Sequence, residues 1–230
     1  MGARLMPTLY IIHGWTYTVE PWAKTIALLE KHGLKVKMLN VPGLTSPSEK
    51  VWTIDDYVKW ADQSIPDGAI ALGHSNGGRI LLNLSTKKPG KLKHLILLSA
   101  AGVYEPSRKK AVIKAVAKVG RPLKKIPLIS KVFHRLTGST DYAKAPKNMQ
   151  KTLENMLNSD KTLDLSAAAT PTHIIWGKKD TVTPPRQAEK MAASMPNAKL
   201  ALFDGWTHAP YISHPEELAK VILKLMQRLK

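Results

Sequence analysis

The segment Gly73-His74-Ser75-Asn76-Gly77 fits the pattern G-x-S-x-G. Glycine two residues before and two after a serine lets the backbone cross close to itself in a tight strand-to-helix turn, leaving the hydroxyl exposed. A serine so placed also opens the next helix, where free N–H groups and the helix dipole favour an oxyanion. The hydroxyl alone is a weak nucleophile and needs a base, which a third group must hold. Asp180, in Trp176-Gly177-Lys178-Lys179-Asp180, and His208, in Gly205-Trp206-Thr207-His208, could fill those roles. The chemistry open to this set is acyl transfer through a covalent serine intermediate. Asp204, four residues before His208, is a rival acid better suited to capping the loop. His13 and His74 are read as structural, fixing loop and turn backbone. Despite eight histidines there is no H-E-x-x-H or similar cluster, so no metal is expected.

The fold must bring these three residues together. Apolar runs bounded by turn residues alternate with helical patterns, as in a parallel sheet covered by helices. Strands are expected at Thr8–Ile12, Lys35–Val41, Ala69–Leu72, His94–Ser99, Thr172–Trp176 and Lys199–Phe203. Helices are expected from Pro21 to Gly33, over Thr53–Ile65, from the serine turn through Leu84, over Pro185–Ser194 and from Pro215 onward. Ser75, Asp180 and His208 then follow the third, fifth and sixth strands, whose ends share one edge of an open parallel sheet. The fold class is α/β, a mostly parallel sheet of about six strands with helices on both faces. From Tyr104 to Ala168 the alternation gives way to helical patterns without a convincing strand. The expected organisation is a core of residues 1–103 and 169–230 with a helical lid insertion at 104–168.

With these motifs in this order, the chain resembles the α/β-hydrolase superfamily. His13-Gly14-Trp15 is similar to its H-G-x oxyanion segment, and Asn40-Val41-Pro42-Gly43 to the loop after the next strand. Trp176-Gly177-Lys178-Lys179-Asp180-Thr181-Val182-Thr183-Pro184 resembles the acid-bearing loop, and His208 falls where the base belongs. The first part also looks like small serine hydrolases with an H-G-W segment, which lack a lid of this length. The family's usual strand hairpin before the first strand is not evident here, which leaves a trimmed sheet. The resemblance implies Ser75 as nucleophile, His208 as general base and then acid, and Asp180 as its orienter. It implies an oxyanion site built from the backbone N–H groups of Trp15 and Asn76, and no cofactor. Asn76 stands where a hydrophobic residue is common in the family, and its amide either touches substrate or faces polar surroundings at the pocket floor. The activity implied is a serine esterase cleaving carboxylic esters of small or medium acyl chains. A C–C bond hydrolase or a lactonase on the same residues stays open, as does a non-catalytic protein that binds anionic surfaces.

The 230 residues carry 35 Lys plus Arg against 17 Asp plus Glu, a formal charge of +18. That length suits one large α/β domain with a well-buried core. Having no cysteine excludes disulfides, thiolate metal sites and a cysteine nucleophile, and is compatible with the cytoplasm, the expected location. No apolar run approaches the roughly 18 residues of a membrane span, and Met1–Pro7 is too short and too weakly apolar for a secretory signal. Half of the charge lies between Tyr104 and Arg135, where ten Lys or Arg stand against Glu105 alone. Ser107–Val119 reads as a basic amphipathic helix and Pro127–Leu136 as a second such piece. Over the catalytic edge, this stretch would turn its cations to water, dock on an anionic membrane surface or attract anionic substrates. Nucleic acid is an unfavoured partner, given only two Phe and no recognisable binding module. The sequence does not indicate an oligomeric state.

Overall fold

The structure is a computed structural model that describes residues 7–105 and 145–229. The two basic pieces expected at Ser107–Val119 and Pro127–Leu136 lie outside the described residues. Six strands form one sheet: β1 (Leu9–Ile12), β2 (Val36–Leu39), β3 (Ala69–His74), β4 (Leu92–Leu98), β5 (Thr172–Gly177) and β6 (Ala198–Phe203). Their order is β2-β1-β3-β4-β5-β6, and every neighbouring pair is parallel. The chain starts in β1, steps outward to β2, and returns to lay β3 on the other side of β1. That reversal falls between β1 and β3, and open α/β sheets have their ligand-binding crevice at the carboxyl ends of strands at such a point.

Strands buried on both faces read as near-continuous apolar runs, and β4 (Leu-Lys-His-Leu-Ile-Leu-Leu) and β5 (Thr-His-Ile-Ile-Trp-Gly) are of this kind. One face is covered by α2 (Ile54–Ser64), α3 (Asn76–Lys87) and α5 (Pro185–Ser194), which bury Tyr57, Ile80 and Met191 in its core, and α4 (Lys147–Ser159) packs beside α2 and adds Met156 to the same apolar cluster. The other face carries α1 (Ala23–Lys31) and α7 (Pro215–Arg228), with Leu29, Leu218 and Ile222 in its core. A single turn, α6 (Pro210–Ser213), precedes α7.

Element ends differ from the sequence expectations by a few residues, for local reasons. The helix expected from Pro21 begins as a 3-10 turn at Glu20–Trp22. Helix α2 starts one residue late because Thr53 caps it: its hydroxyl accepts from Asp56 N–H while the Asp56 carboxylate accepts from Thr53 N–H. Strand β2 stops at Leu39, before Val41 N–H turns to the Thr45 hydroxyl. Strand β4 starts at Leu92 and stops at Leu98, because Ser99 takes a left-handed φ of 45°. Within the expected insertion, the described part from 145 onward holds α4 and a 3-10 turn at Leu165–Ala167.

At the foot of the sheet, away from the crevice, His94 of β4 and His173 of β5 share a 2.7 Å hydrogen bond. Burial lowers both, His94 to about 4, and Lys93, Lys199 and Arg228 nearby oppose a further positive charge. The unfolded chain therefore binds more protons below about pH 6.5, the ordinary histidine value, and stability falls from there toward about pH 4. Urea unfolding is expected to show stability falling between pH 7 and pH 4 as the unfolded chain takes up protons at this pair. A His94→Gln/His173→Gln variant should lose less over the same interval, and equal losses would contradict the account.

Candidate active site

Ser75 follows β3 and is the N-cap of α3, with φ 50° and ψ −117°. A non-glycine residue at positive φ stores strain, and the turn is held in that shape by close packing. A Cβ on Gly73 would lie 2.6 Å from Gly78 Cα, and one on Gly77 would lie 2.1 Å from the Ile12 carbonyl oxygen. Only glycine fits at either position, which is the physical content of the G-x-S-x-G spacing. Ala101 N–H donates to the Ser75 carbonyl at 2.8 Å and so ties the turn to the segment after β4.

Ser75 Oγ lies 3.1 Å from His208 Nε2, and His208 Nδ1 lies 2.9 Å from Asp180 Oδ2. The structure therefore brings together the three residues singled out from the sequence. Asp180 can only accept, so Nδ1 carries the imidazole proton and Nε2 faces the serine hydroxyl as an acceptor. Asp180 Oδ1 accepts the N–H groups of Val182 at 2.8 Å and Thr183 at 2.9 Å. Burial alone would push this carboxyl up, but His208 and the Thr183 hydrogen bonds outweigh it and hold Asp180 below the usual carboxylate range. Asp180 thus stays charged, and its charge favours the imidazolium that forms when His208 takes a proton. Ser75 and Asp180 are buried, while His208 is partly open to solvent.

Thr183 was not singled out by sequence, although it sits in the quoted acid loop. Its hydroxyl lies 2.9 Å from Asp180 Oδ2, 3.1 Å from the Ser99 carbonyl and 3.2 Å from His208 Nδ1. It joins the acid, the base and the left-handed Ser99 at one point. Asp204 does not compete with Asp180: its carboxylate is exposed and paired with Lys178 at 2.9 Å, an ion pair in place of the expected loop cap.

The neighbouring histidines are structural, each in a defined way. His13 Nδ1–H donates to the Gly14 carbonyl at 2.7 Å, and Nε2 accepts from the Thr45 hydroxyl at 2.8 Å. Thr45 Oγ1 in turn accepts Val41 N–H, so the loops after β1 and β2 form one unit, and burial keeps His13 neutral. His74 Nε2–H donates to the His208 carbonyl at 2.9 Å, anchoring the backbone of that residue. Burial, then the adjacent His208, push His74 down to about 3, so it adds no charge beside the site.

Trp15 follows β1 and is buried, and Asn76 opens α3. The Trp15 loop lies directly beside the serine, since a Cβ on Gly14 would be 3.1 Å from Ser75 Cβ. At the first position of a helix the N–H of Asn76 has no acceptor four residues back. Its side chain faces polar surroundings, with Oδ1 accepting from Arg79 at 2.6 Å. Among the described residues no group of three or more His, Asp or Glu side chains could hold a metal ion.

A family model described as alpha/beta hydrolase fold matches residues 7–215 of the chain. A pimeloyl-[acyl-carrier protein] methyl ester esterase of Aromatoleum aromaticum is 26% identical, covering 94% of this chain and 96% of its own. Among solved structures, an alpha/beta hydrolase enzyme from the sediment metagenome of the Mar Chica lagoon, Morocco, superposes with a TM-score of 0.69 at 23% identity, covering 96% of this chain and 91% of its own. The monoacylglycerol lipase of Paleococcus ferrophilus gives 0.67 at 18% identity, covering 100% and 97%. At these identities the two superpositions speak for the fold alone.

Thr183→Val removes a hydroxyl at nearly constant volume. Labelling of Ser75 by an active-site fluorophosphonate is expected to slow about 10-fold in this variant, with about 1 kcal/mol lost in urea unfolding. Labelling at the wild-type rate would show that Thr183 does not hold the acid and base.

Proposed function

The chain belongs to the alpha/beta hydrolase fold family and is an ester-cleaving enzyme, and from that premise we propose that it cleaves carboxylic esters of small or medium acyl chains through an acyl-enzyme on Ser75. The observation that carries this reading is the continuous hydrogen-bonded series from Ser75 Oγ through His208 to Asp180 at the carboxyl edge of the sheet. His208 Nε2 takes the Ser75 proton as Oγ bonds to the ester carbonyl carbon, and the carbonyl π electrons move onto oxygen. The backbone N–H groups of Trp15 and Asn76 receive that oxyanion. As the tetrahedral intermediate collapses, the bond to the alkoxy oxygen breaks and His208 returns the proton to the departing alcohol. Water, deprotonated by His208, then attacks the acyl carbon; the carboxylic acid leaves and Ser75 regains its proton. Asp180 holds the tautomer and the imidazolium throughout, and no step calls for a cofactor.

The Aromatoleum relative is named for a methyl ester carried on an acyl-carrier protein. A methyl ester of an acyl chain carried on such a protein therefore belongs among the substrates to be tried, beside simple esters and lactones. Across p-nitrophenyl esters of rising chain length, kcat/KM is expected to peak at short or medium chains. Lactones tested in parallel are expected to turn over more slowly. Ser75→Ala should lower hydrolysis by at least about 10⁴-fold, and Asp180→Asn by about 10⁴-fold through the wrong histidine tautomer. Hydrolysis unchanged in Ser75→Ala would refute the assignment.

A further inference from the structure

The first turn of α3 holds a buried ion pair that the acyl-transfer scheme does not use. Arg79 is 3% exposed and Asp160 is 9% exposed. They meet through two hydrogen bonds, Nε to Oδ1 at 2.7 Å and Nη2 to Oδ2 at 2.9 Å. The third guanidinium nitrogen, Nη1, donates to Asn76 Oδ1 at 2.6 Å. Asn76 is the residue after Ser75, and Asp160 is the C-cap of α4. Three side chains thus run from the turn that faces the oxyanion to the end of a helix 81 positions away from Arg79.

Stability alone does not account for this arrangement. Burying two charges carries a desolvation cost, and apolar residues of similar volume often serve stability equally well. Asn76 Nδ2 is also buried without a partner among the described residues, an omission that costs stability. Apolar side chains at 76, 79 and 160 would avoid both costs. What the polar chain adds is direction: a guanidinium held by two bonds has a fixed plane, and its third bond fixes the Asn76 carboxamide.

We propose that the Arg79–Asp160 pair is a positioning device for the esterase site: through Asn76 it fixes the N–H that receives the oxyanion and ties that N–H to the end of α4. The inference rests on the acyl-transfer reading above. Neither charged residue touches the reacting atoms. Their effect falls on the transition state, because an oxyanion donor must stand about 2.7–3.1 Å from the developing charge. A misplacement of about 1 Å can cost about 100-fold in rate. Substrate in its ground state makes no such demand on the donor, so its binding is unaffected.

The test compares the wild type with Arg79→Lys, Arg79→Met and the double variant Arg79→Met/Asp160→Leu. Each is measured for kcat and KM on one p-nitrophenyl ester and for unfolding in urea. Each is also measured for affinity toward a trifluoromethyl ketone, which adds the Ser75 oxygen to form a tetrahedral oxyanion. Arg79→Met leaves Asp160 buried and unpaired and is expected to lose stability. The double variant removes both charges but leaves Asn76 Oδ1 without its donor, and is expected to lose less stability than Arg79→Met. In the double variant and in Arg79→Lys, which keeps the charge without the fork, kcat is expected to fall about 10- to 100-fold. Ketone affinity should fall by the same factor while KM stays within about twofold. Wild-type kcat and ketone affinity in a stably folded double variant would overturn the inference; so would a loss confined to stability in Arg79→Lys. Fluorophosphonate labelling of the wild type separates the two levels. A wild type that neither labels at Ser75 nor cleaves any ester fails the acyl-transfer reading itself. A labelled, active wild type beside an equally active double variant fails the positioning inference alone.

Discussion

Where α3 leaves β3, the backbone at Gly77 passes so close to β1 that a Cβ would lie 2.1 Å from the Ile12 carbonyl oxygen. This contact fixes where Ser75 can be. It presses the β3–α3 turn against the end of β1, holds Ser75 at φ 50° and keeps the first N–H groups of α3 beside the Trp15 loop. The sheet order serves the same crossing. Because the chain reverses between β1 and β3, the loops after those two central strands meet at the serine turn. β4 and β5 then extend the edge, so the acid loop after β5 and the histidine loop after β6 reach back to the serine.

Around that crossing the polar groups divide by charge. His13 and His74 are kept neutral by burial, and each donates one N–H to a backbone carbonyl, so they stiffen loops without disturbing the field at His208. Asp180 is kept ionised by hydrogen bonds that outweigh its burial. The result is a buried negative charge held against the His208 imidazole. Arg79 and Asp160 form a separate and mutually neutralising pair that reaches the serine turn through Asn76.

The parts of this site that were legible in the sequence are those encoded by local spacing. Gly73 and Gly77 betray the turn because no other residue fits there, and Asp180 and His208 betray themselves by following apolar runs that read as strands. What was not legible depends on contacts between segments far apart in the chain. Thr183 lies in plain view in the acid loop, yet its role follows from a path that brings it to the Ser99 carbonyl. Asp160 looks like the polar end of a helix until α4 packs and places it against Arg79. The His94–His173 pair appears only once β4 and β5 are in register. Strand ends were misjudged where a side chain captured the backbone, as Thr45 does at Val41.

The covalent intermediate is the central claim, and trapping it is the most direct measurement. The protein would be mixed with p-nitrophenyl acetate, quenched in acid within milliseconds to seconds, digested and mapped by mass spectrometry. The account predicts one acetyl group, on the peptide that contains Ser75 and at that residue, disappearing at longer times as water completes the cycle. Ester cleavage with no acyl adduct at any time, or with the adduct on another residue, would contradict it.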